Sequence, residues 1–189
     1  MNIVRGKKIE VLFSASSIAM RNLELAKEIA ERDYHDLLVV SILKGSFVFA
    51  ADLIRAMHDA GLHPEVEFIT ISSYGSGTTG GEVKVLRDID SHVEGRDVLL
   101  IDDILESGNT LKFTRDLMLG RGAKSVSIAV LLDKSVRRKT EINADFTGFE
   151  CPDYFVVGYG MDVAHAYRQL PFVGLVDYDS REPDLFGGT

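Results

Sequence analysis

Short apolar runs alternate along this chain with stretches of helical spacing, and polar breaks separate them. Residues 98–101 are four consecutive apolar side chains, two of them β-branched, too short for a helix and right for a buried strand. Asp102 and Asp103 close that strand. A small polar turn follows, containing Glu106, Ser107, Gly108, Asn109 and Thr110, and then helical spacing at Leu111, Phe113, Leu117 and Met118. The pattern recurs at 37–43, which ends on Lys44 and Gly45, and at 125–132, which ends on Asp133 and Lys134. Before the first of these, a short strand at 9–13 leads to Ser14, Ser16 or Ser17 as an N-cap. Ile18, Leu25 and Ile29 then space a helix to about Arg32. A second helix is expected over 47–60, closed by Gly61. Further strands are expected at 65–73, 82–86, 155–159 and 173–176. Arg137, Arg138 and Lys139 read as a solvated loop.

Strands that alternate with helices give an α/β fold with a mostly parallel central sheet flanked by helices. No linker or repeat interrupts it, so 1–189 is expected to be a single domain. Such a sheet gathers its functional groups at the strand C-terminal ends. One motif invites a different reading: Gly75, Gly77 and Gly80 spell GxGxxG. A dinucleotide fingerprint must open a helix, whereas residues 82–86 alternate like a strand, so a mobile hairpin or lid is the better expectation.

Composition adds exclusions. A net charge of −8 argues against a general nucleic-acid binder. Cys151, the only cysteine, excludes an internal disulfide and fits a reducing compartment. No targeting segment or membrane-length apolar run is visible, and the expectation is a cytoplasmic protein with no membrane partner.

The turn after Asp103 has the parts of an anion site. A helix start leaves free amides, Gly108 lets the backbone approach closely, and Ser107 and Thr110 add hydroxyl donors. No Lys-Ser or Lys-Thr follows, which excludes the nucleotide triphosphate P-loop. Two acids beside a phosphate would repel it. They make sense if they hold vicinal sugar hydroxyls or a divalent cation; the plainer alternative is that they end a strand and cap the next turn.

Two hydrophobics, two acids, two hydrophobics, an acid, a small hydroxyl residue, Gly, any residue and Thr: this order resembles the phosphoribosyl diphosphate (PRPP) signature of type I phosphoribosyltransferases. Leu43, Lys44 and Gly45, then Ser73 and Tyr74, Lys134, the run 155–159, Asp162 and Arg168 stand in the order of the branch that acts on hypoxanthine and guanine. The resemblance spans residues 37–176 and implies purine salvage, in which PRPP and a 6-oxopurine give IMP or GMP and pyrophosphate with Mg²⁺ as cofactor. It also implies a homo-oligomer, dimer or tetramer, a flexible lid at 74–86, and a base-binding hood from 134–189 with N-terminal residues.

The same resemblance implies residue roles. Asp102 and Asp103 would hold the ribose hydroxyls and lie near the metal, with Glu106, Ser107, Gly108, Asn109 and Thr110 around the 5′-phosphate. Lys44 and Gly45, in a loop this family often builds with a non-proline cis peptide, would lie by the pyrophosphate with Arg168. Ser73 and Tyr74 would ride on the lid. Lys134 would donate to the six-position oxygen of the purine, Phe155 would stack on the ring, Val156 would offer backbone groups, and Asp162 would help bind Mg²⁺. On local pattern alone Phe155 reads as core, Lys134 as solvated, Arg168 as a surface ion pair, and His165 as surface without a role. Glu106 would be the catalytic proton acceptor, and here the chain departs from the family's usual Asp by one methylene. The rival from another class is a PRPP-fold regulator binding nucleotide and RNA, for which −8 and a three-residue basic cluster are poor support.

Overall fold

Six strands form the central sheet of the computed structural model, which describes residues 2–74 and 82–176. In chain order the elements are β1 (Asn2–Val4), β2 (Lys7–Phe13), α1 (Ala15–Ala30), β3 (Leu38–Leu43), α2 (Phe47–Asp59), β4 (Glu65–Tyr74) and β5 (Glu82–Arg87). They continue as β6 (Asp97–Leu105), α3 (Asn109–Gly120), β7 (Ser125–Asp133), a 3-10 turn (Ser135–Arg137), β8 (Phe146–Glu150), β9 (Val156–Val157) and β10 (Val173–Val176). The central order is β5-β4-β3-β6-β7-β8. Every neighbouring pair is parallel except β4 with β5, as the α/β reading expects.

The continuous apolar runs have a simple cause. Side chains of a strand alternate between faces, and both faces of this sheet are covered. Val39, Leu99, Ile101 and Leu131 pack beneath α1 and α2 on Ile18, Leu25, Phe49 and Leu53. Leu38, Val40, Leu100 and Val130 face the other way, onto Leu111 and Met118 of α3. Ser14 caps α1, its Oγ accepting from Ser17 N–H at 3.1 Å. Arg21 on the same helix donates to the carbonyls of Thr147 (2.8 Å) and Gly148 (3.0 Å), blunting the edge strand β8.

Three details differ from the sequence expectation. β6 runs two residues past Asp102 and Asp103, because Ile104 and Leu105 pair with Leu132 and Asp133 of β7. β1 and β8 are strands that the apolar pattern did not mark. The expected strand at 155–159 shrinks to Val156–Val157, since Gly158 (φ +95) and Tyr159 (φ +50) turn the chain out of extended geometry. In keeping with the expected hood from the terminal segments, the late strands join β1 and β2 in a separate antiparallel sheet, order β1-β2-β10-β9, with Ile9 opposite Val176. The glycine segment at 75–81 and the tail at 177–189 lie outside the described residues. Among the described residues no helix is long and apolar enough to cross a membrane.

Candidate active site

Because β3, β6 and β7 are parallel neighbours, their C-terminal ends lie side by side and bring three loops to one place. The loop after β3 opens with a cis peptide between Leu43 and Lys44. Gly45 lies so close to Asp103 that a Cβ there would overlap the carboxylate, and a Cβ on Gly160 would overlap the Gly45 carbonyl. The turn after β6 depends on Gly108, whose φ is +83. α3 starts immediately after it with no side-chain cap, so its first amides point outward as donors. Asn109 is its first residue, its N–H 3.4 Å from Ser107 Oγ. A cavity of about 310 Å³ is lined here by Lys44, Gly45, Asp102, Asp103, Ser107 and Thr110, among others.

Arg138 supports this turn from beneath, which corrects the expectation that the basic cluster is a solvated loop. Its side chain is largely buried and ion-paired with Asp133, and it donates to the Glu106 carbonyl at 3.0 Å. Lys139 N–H also bonds the Ser107 carbonyl at 2.9 Å. Arg137 and Lys139 stay exposed as expected, the Arg137 side chain at 61%.

Asp102 is buried and Asp103 half-buried at the strand end. Burial, and then the neighbouring Asp103 charge, push the Asp102 carboxyl well above its ordinary value. Burial also raises Asp103, partly offset by bonds from Asp102 and the Ile104 N–H and by the nearby Arg168 charge. A carboxyl whose pKa is raised by folding contributes stability below its unfolded pKa and loses it as pH rises through the folded value. Asp102→Asn is therefore expected to stabilise the ligand-free protein at neutral pH by about 1–3 kcal/mol. Asn keeps the oxygen that accepts the Asp103 N–H at 2.9 Å. Thermal midpoints from pH 5 to 8 check this: the gap between variant and parent should widen with pH, and a flat gap overturns it.

A second cavity, of about 270 Å³, adjoins the first, and Asp103, Ile104 and Glu106 line both. Lys134 lies in its wall, where the plain reading placed it in solvent. Its side chain is 8% exposed, and its Nζ donates to Glu106 Oε1 at 3.0 Å. Lys134 N–H is also tied to the Leu105 carbonyl at 2.9 Å, so β6 and β7 together set the pair's position. Phe155 borders the cavity and is 54% exposed, which overturns its reading as core. Val156 and Asp162 line the same space. Arg168 pairs with Asp162 at 2.7 Å and donates to the Gly160 carbonyl at 2.7 Å, so it is a fixed group within the site. His165 is exposed, as expected, but its backbone N–H also holds Asp162 Oδ2 at 2.7 Å. Ser73 and Tyr74 end β4, their backbones in register with Val83 and Glu82.

Residues 10–164 match the phosphoribosyl transferase domain family. The chain belongs to the phosphoribosyltransferase family. It is 45% identical over 172 residues to the hypoxanthine phosphoribosyltransferase of Escherichia coli K12, covering 89% of this chain and 95% of that protein. It is 45% identical over 181 residues to the hypoxanthine-guanine phosphoribosyltransferase of Aquifex aeolicus, covering 94% and 99%. The crystal structure of a hypoxanthine phosphoribosyltransferase from Staphylococcus aureus superposes with a TM-score of 0.83 at 40% identity, covering 95% of this chain and 94% of that one. Within this phosphoribosyltransferase, sequence reasoning missed Arg137 and Asp153. They form an ion pair of 2.8 Å at the rim of the second cavity. Arg137 follows Lys134 by three residues, one turn of a 3-10 helix, and that spacing was the available signal.

Proposed function

We propose that this chain transfers the phosphoribosyl group of PRPP to hypoxanthine, and to guanine as a second base, releasing pyrophosphate with IMP or GMP. The carrying observation is the junction of two cavities at Glu106: one has the helix amides and paired acids for a sugar phosphate, the other an aromatic wall and a buried lysine. The relatives' names point the same way. In this reading Asp102 and Asp103 hold the ribose hydroxyls, while Glu106, Ser107, Gly108, Asn109 and Thr110 surround the 5′-phosphate. Lys44, Gly45 and Arg168 lie by the pyrophosphate, and Ser73 and Tyr74, which end β4, ride on the lid over it. Phe155 stacks on the base, Lys134 donates to its six-position oxygen, and Val156 offers backbone groups to its edge. Of the expected hood, the described residues 134–176 lie with the N-terminal strands on the base side.

A purine ring nitrogen attacks the anomeric carbon as the bond to pyrophosphate breaks and its electron pair leaves with that group. Glu106 accepts the proton from the imidazole side of the base. The cationic character that develops on the ribose favours a site closed to water. Among the described residues no three acids or imidazoles gather into a metal cage. The oxygen donors present suit Mg²⁺, which takes one or two carboxylates and leaves its other positions to water and substrate. Asp162 on the base side, and separately Asp102 and Asp103 at the strand end, would hold it, and it would spread charge on the diphosphate.

Met20, Leu23 and Phe47 expose apolar side chains on α1 and α2, which supports a homo-oligomer. The deciding experiment offers hypoxanthine, guanine, xanthine and adenine separately with PRPP, with and without Mg²⁺, to protein of measured solution mass. Pyrophosphate release is expected with hypoxanthine, then guanine, and only with the metal. Release with adenine alone, or with no base dependence, would reject the assignment.

A further inference from the structure

Glu106 is a long side chain for a group that must accept a proton at a fixed place. It is 41% exposed, and the contact that fixes its carboxylate is Lys134 Nζ at 3.0 Å. In the function proposed above, Lys134 gives that donation to the purine oxygen. The ammonium that holds the acceptor must then serve the base as well, and its grip on Glu106 loosens at the step that needs the acceptor in place. A glutamate freed in this way regains its side-chain torsions, and about 1 Å of misplacement can cost on the order of a hundredfold in rate.

Arg137 is the other cation paired with Glu106 among the described residues. Its Nε lies 4.0 Å from the same Glu106 Oε1 and 2.8 Å from Asp153 Oδ1. A guanidinium carries five N–H donors in a fixed fork, enough for two carboxylates at once. The 3-10 turn that starts at Ser135 ties Arg137 to the segment that carries Lys134, while Asp153 stands two residues before Phe155. The Arg137–Asp153 pair therefore spans the mouth of the base cavity, from the lysine side to the aromatic side.

We propose that Arg137 is a positioning residue that takes the Glu106 carboxylate over from Lys134 when a base binds, with Asp153 holding the guanidinium in reach. The inference rests on the proposed function and assigns Arg137 a part in proton transfer without contact to the reacting atoms.

The test compares Arg137→Ala and Arg137→Lys, each with Glu106 intact and each combined with Glu106→Asp, reading kcat, KM for hypoxanthine and for PRPP, and thermal midpoint. Arg137→Ala should lower kcat about tenfold with both KM values within about twofold and the midpoint unchanged. Arg137→Lys should recover part of the loss. Combined with Glu106→Asp, the alanine change should cost less than about twofold, because the shorter carboxylate does not reach the guanidinium. An unchanged kcat overturns the inference, and so does an equal loss in both backgrounds, which would put Arg137's effect on Asp153 and the loop alone. A raised KM at constant kcat overturns it too, making Arg137 a binding group. A parent protein with no hypoxanthine-dependent pyrophosphate release overturns the functional reading itself, and this shows before any substitution is made.

Discussion

Glu106→Ala is expected to slow phosphoribosyl transfer to hypoxanthine by about 10²–10⁴-fold, the usual range for a positioned acid or base. The substitution does two separable things. It removes the proton acceptor at the junction of the two cavities, and it deprives the Lys134 ammonium of its 3.0 Å partner in a wall where that side chain is 8% exposed. A buried donor left without a partner costs about 1–3 kcal/mol. Glu106→Gln separates the two effects, because an amide oxygen still accepts from Lys134 but does not take up the proton. If proton transfer dominates, the Gln and Ala variants should be equally slow in single-turnover rate, with only Ala losing thermal stability. Glu106→Asp should fall between them and the parent. A parental rate in the Ala variant would remove Glu106 from the mechanism.

Gly160→Ala should be among the most damaging small substitutions outside the reacting groups. The residue has φ +101, and a Cβ there would overlap the Gly45 carbonyl. Strained backbone of this kind costs on the order of 1–3 kcal/mol. The clash is with backbone, so no side-chain rotation relieves it, and the expected total is about 3 kcal/mol or more. The damage should also reach activity, because the loop it pushes carries Lys44 and Gly45, while Arg168 is tied to the Gly160 carbonyl at 2.7 Å. Gly45→Ala is the informative contrast. There the overlap is with the Asp103 carboxylate, a side chain, and no left-handed backbone angle is involved. Denaturant unfolding with pyrophosphate-release assays should find Gly45→Ala closer to parental stability than Gly160→Ala, with activity lost in both. Equal stabilities would show that the Gly160–Gly45 contact yields easily.

The parts of this fold legible from residues alone are those where local pattern and tertiary setting agree. β3, β6 and β7 announced themselves because strands covered on both faces are apolar at every position. β8 did not: it has five residues, and Gly148 sits at its centre where a Cβ would come 2.5 Å from the Leu131 carbonyl. Close packing required the residue that most weakens a strand signal. The turn at Gly108 and the helix start after it were readable, since Gly108 and its hydroxyl neighbours are contiguous. Lys134 was different in kind, because a lysine after a strand is ordinarily solvated and its burial depends on Glu106, 28 positions earlier. Arg138 escaped for the same reason, being held by the Glu106 and Ile142 carbonyls and by Asp133. The family resemblance, unlike spacing, singled out Lys134 and Phe155, both of which line the second cavity. It was silent on the Arg137–Asp153 pair.

The two sheets also impose an order of assembly. Every strand of the six-stranded sheet lies between residues 38 and 150, and its parallel pairs connect neighbours in the chain or nearly so. In the four-stranded sheet, by contrast, β10 is an interior strand, wedged between β2 and β9, and Ile9 meets Val176 across almost the whole chain length. A chain leaving the ribosome can therefore close the sheet beneath the Gly108 turn while the strands beside Phe155 still lack β10. Loop-closure entropy favours the same sequence of events in free solution. The half of the molecule that would choose the base is the half that must be finished last.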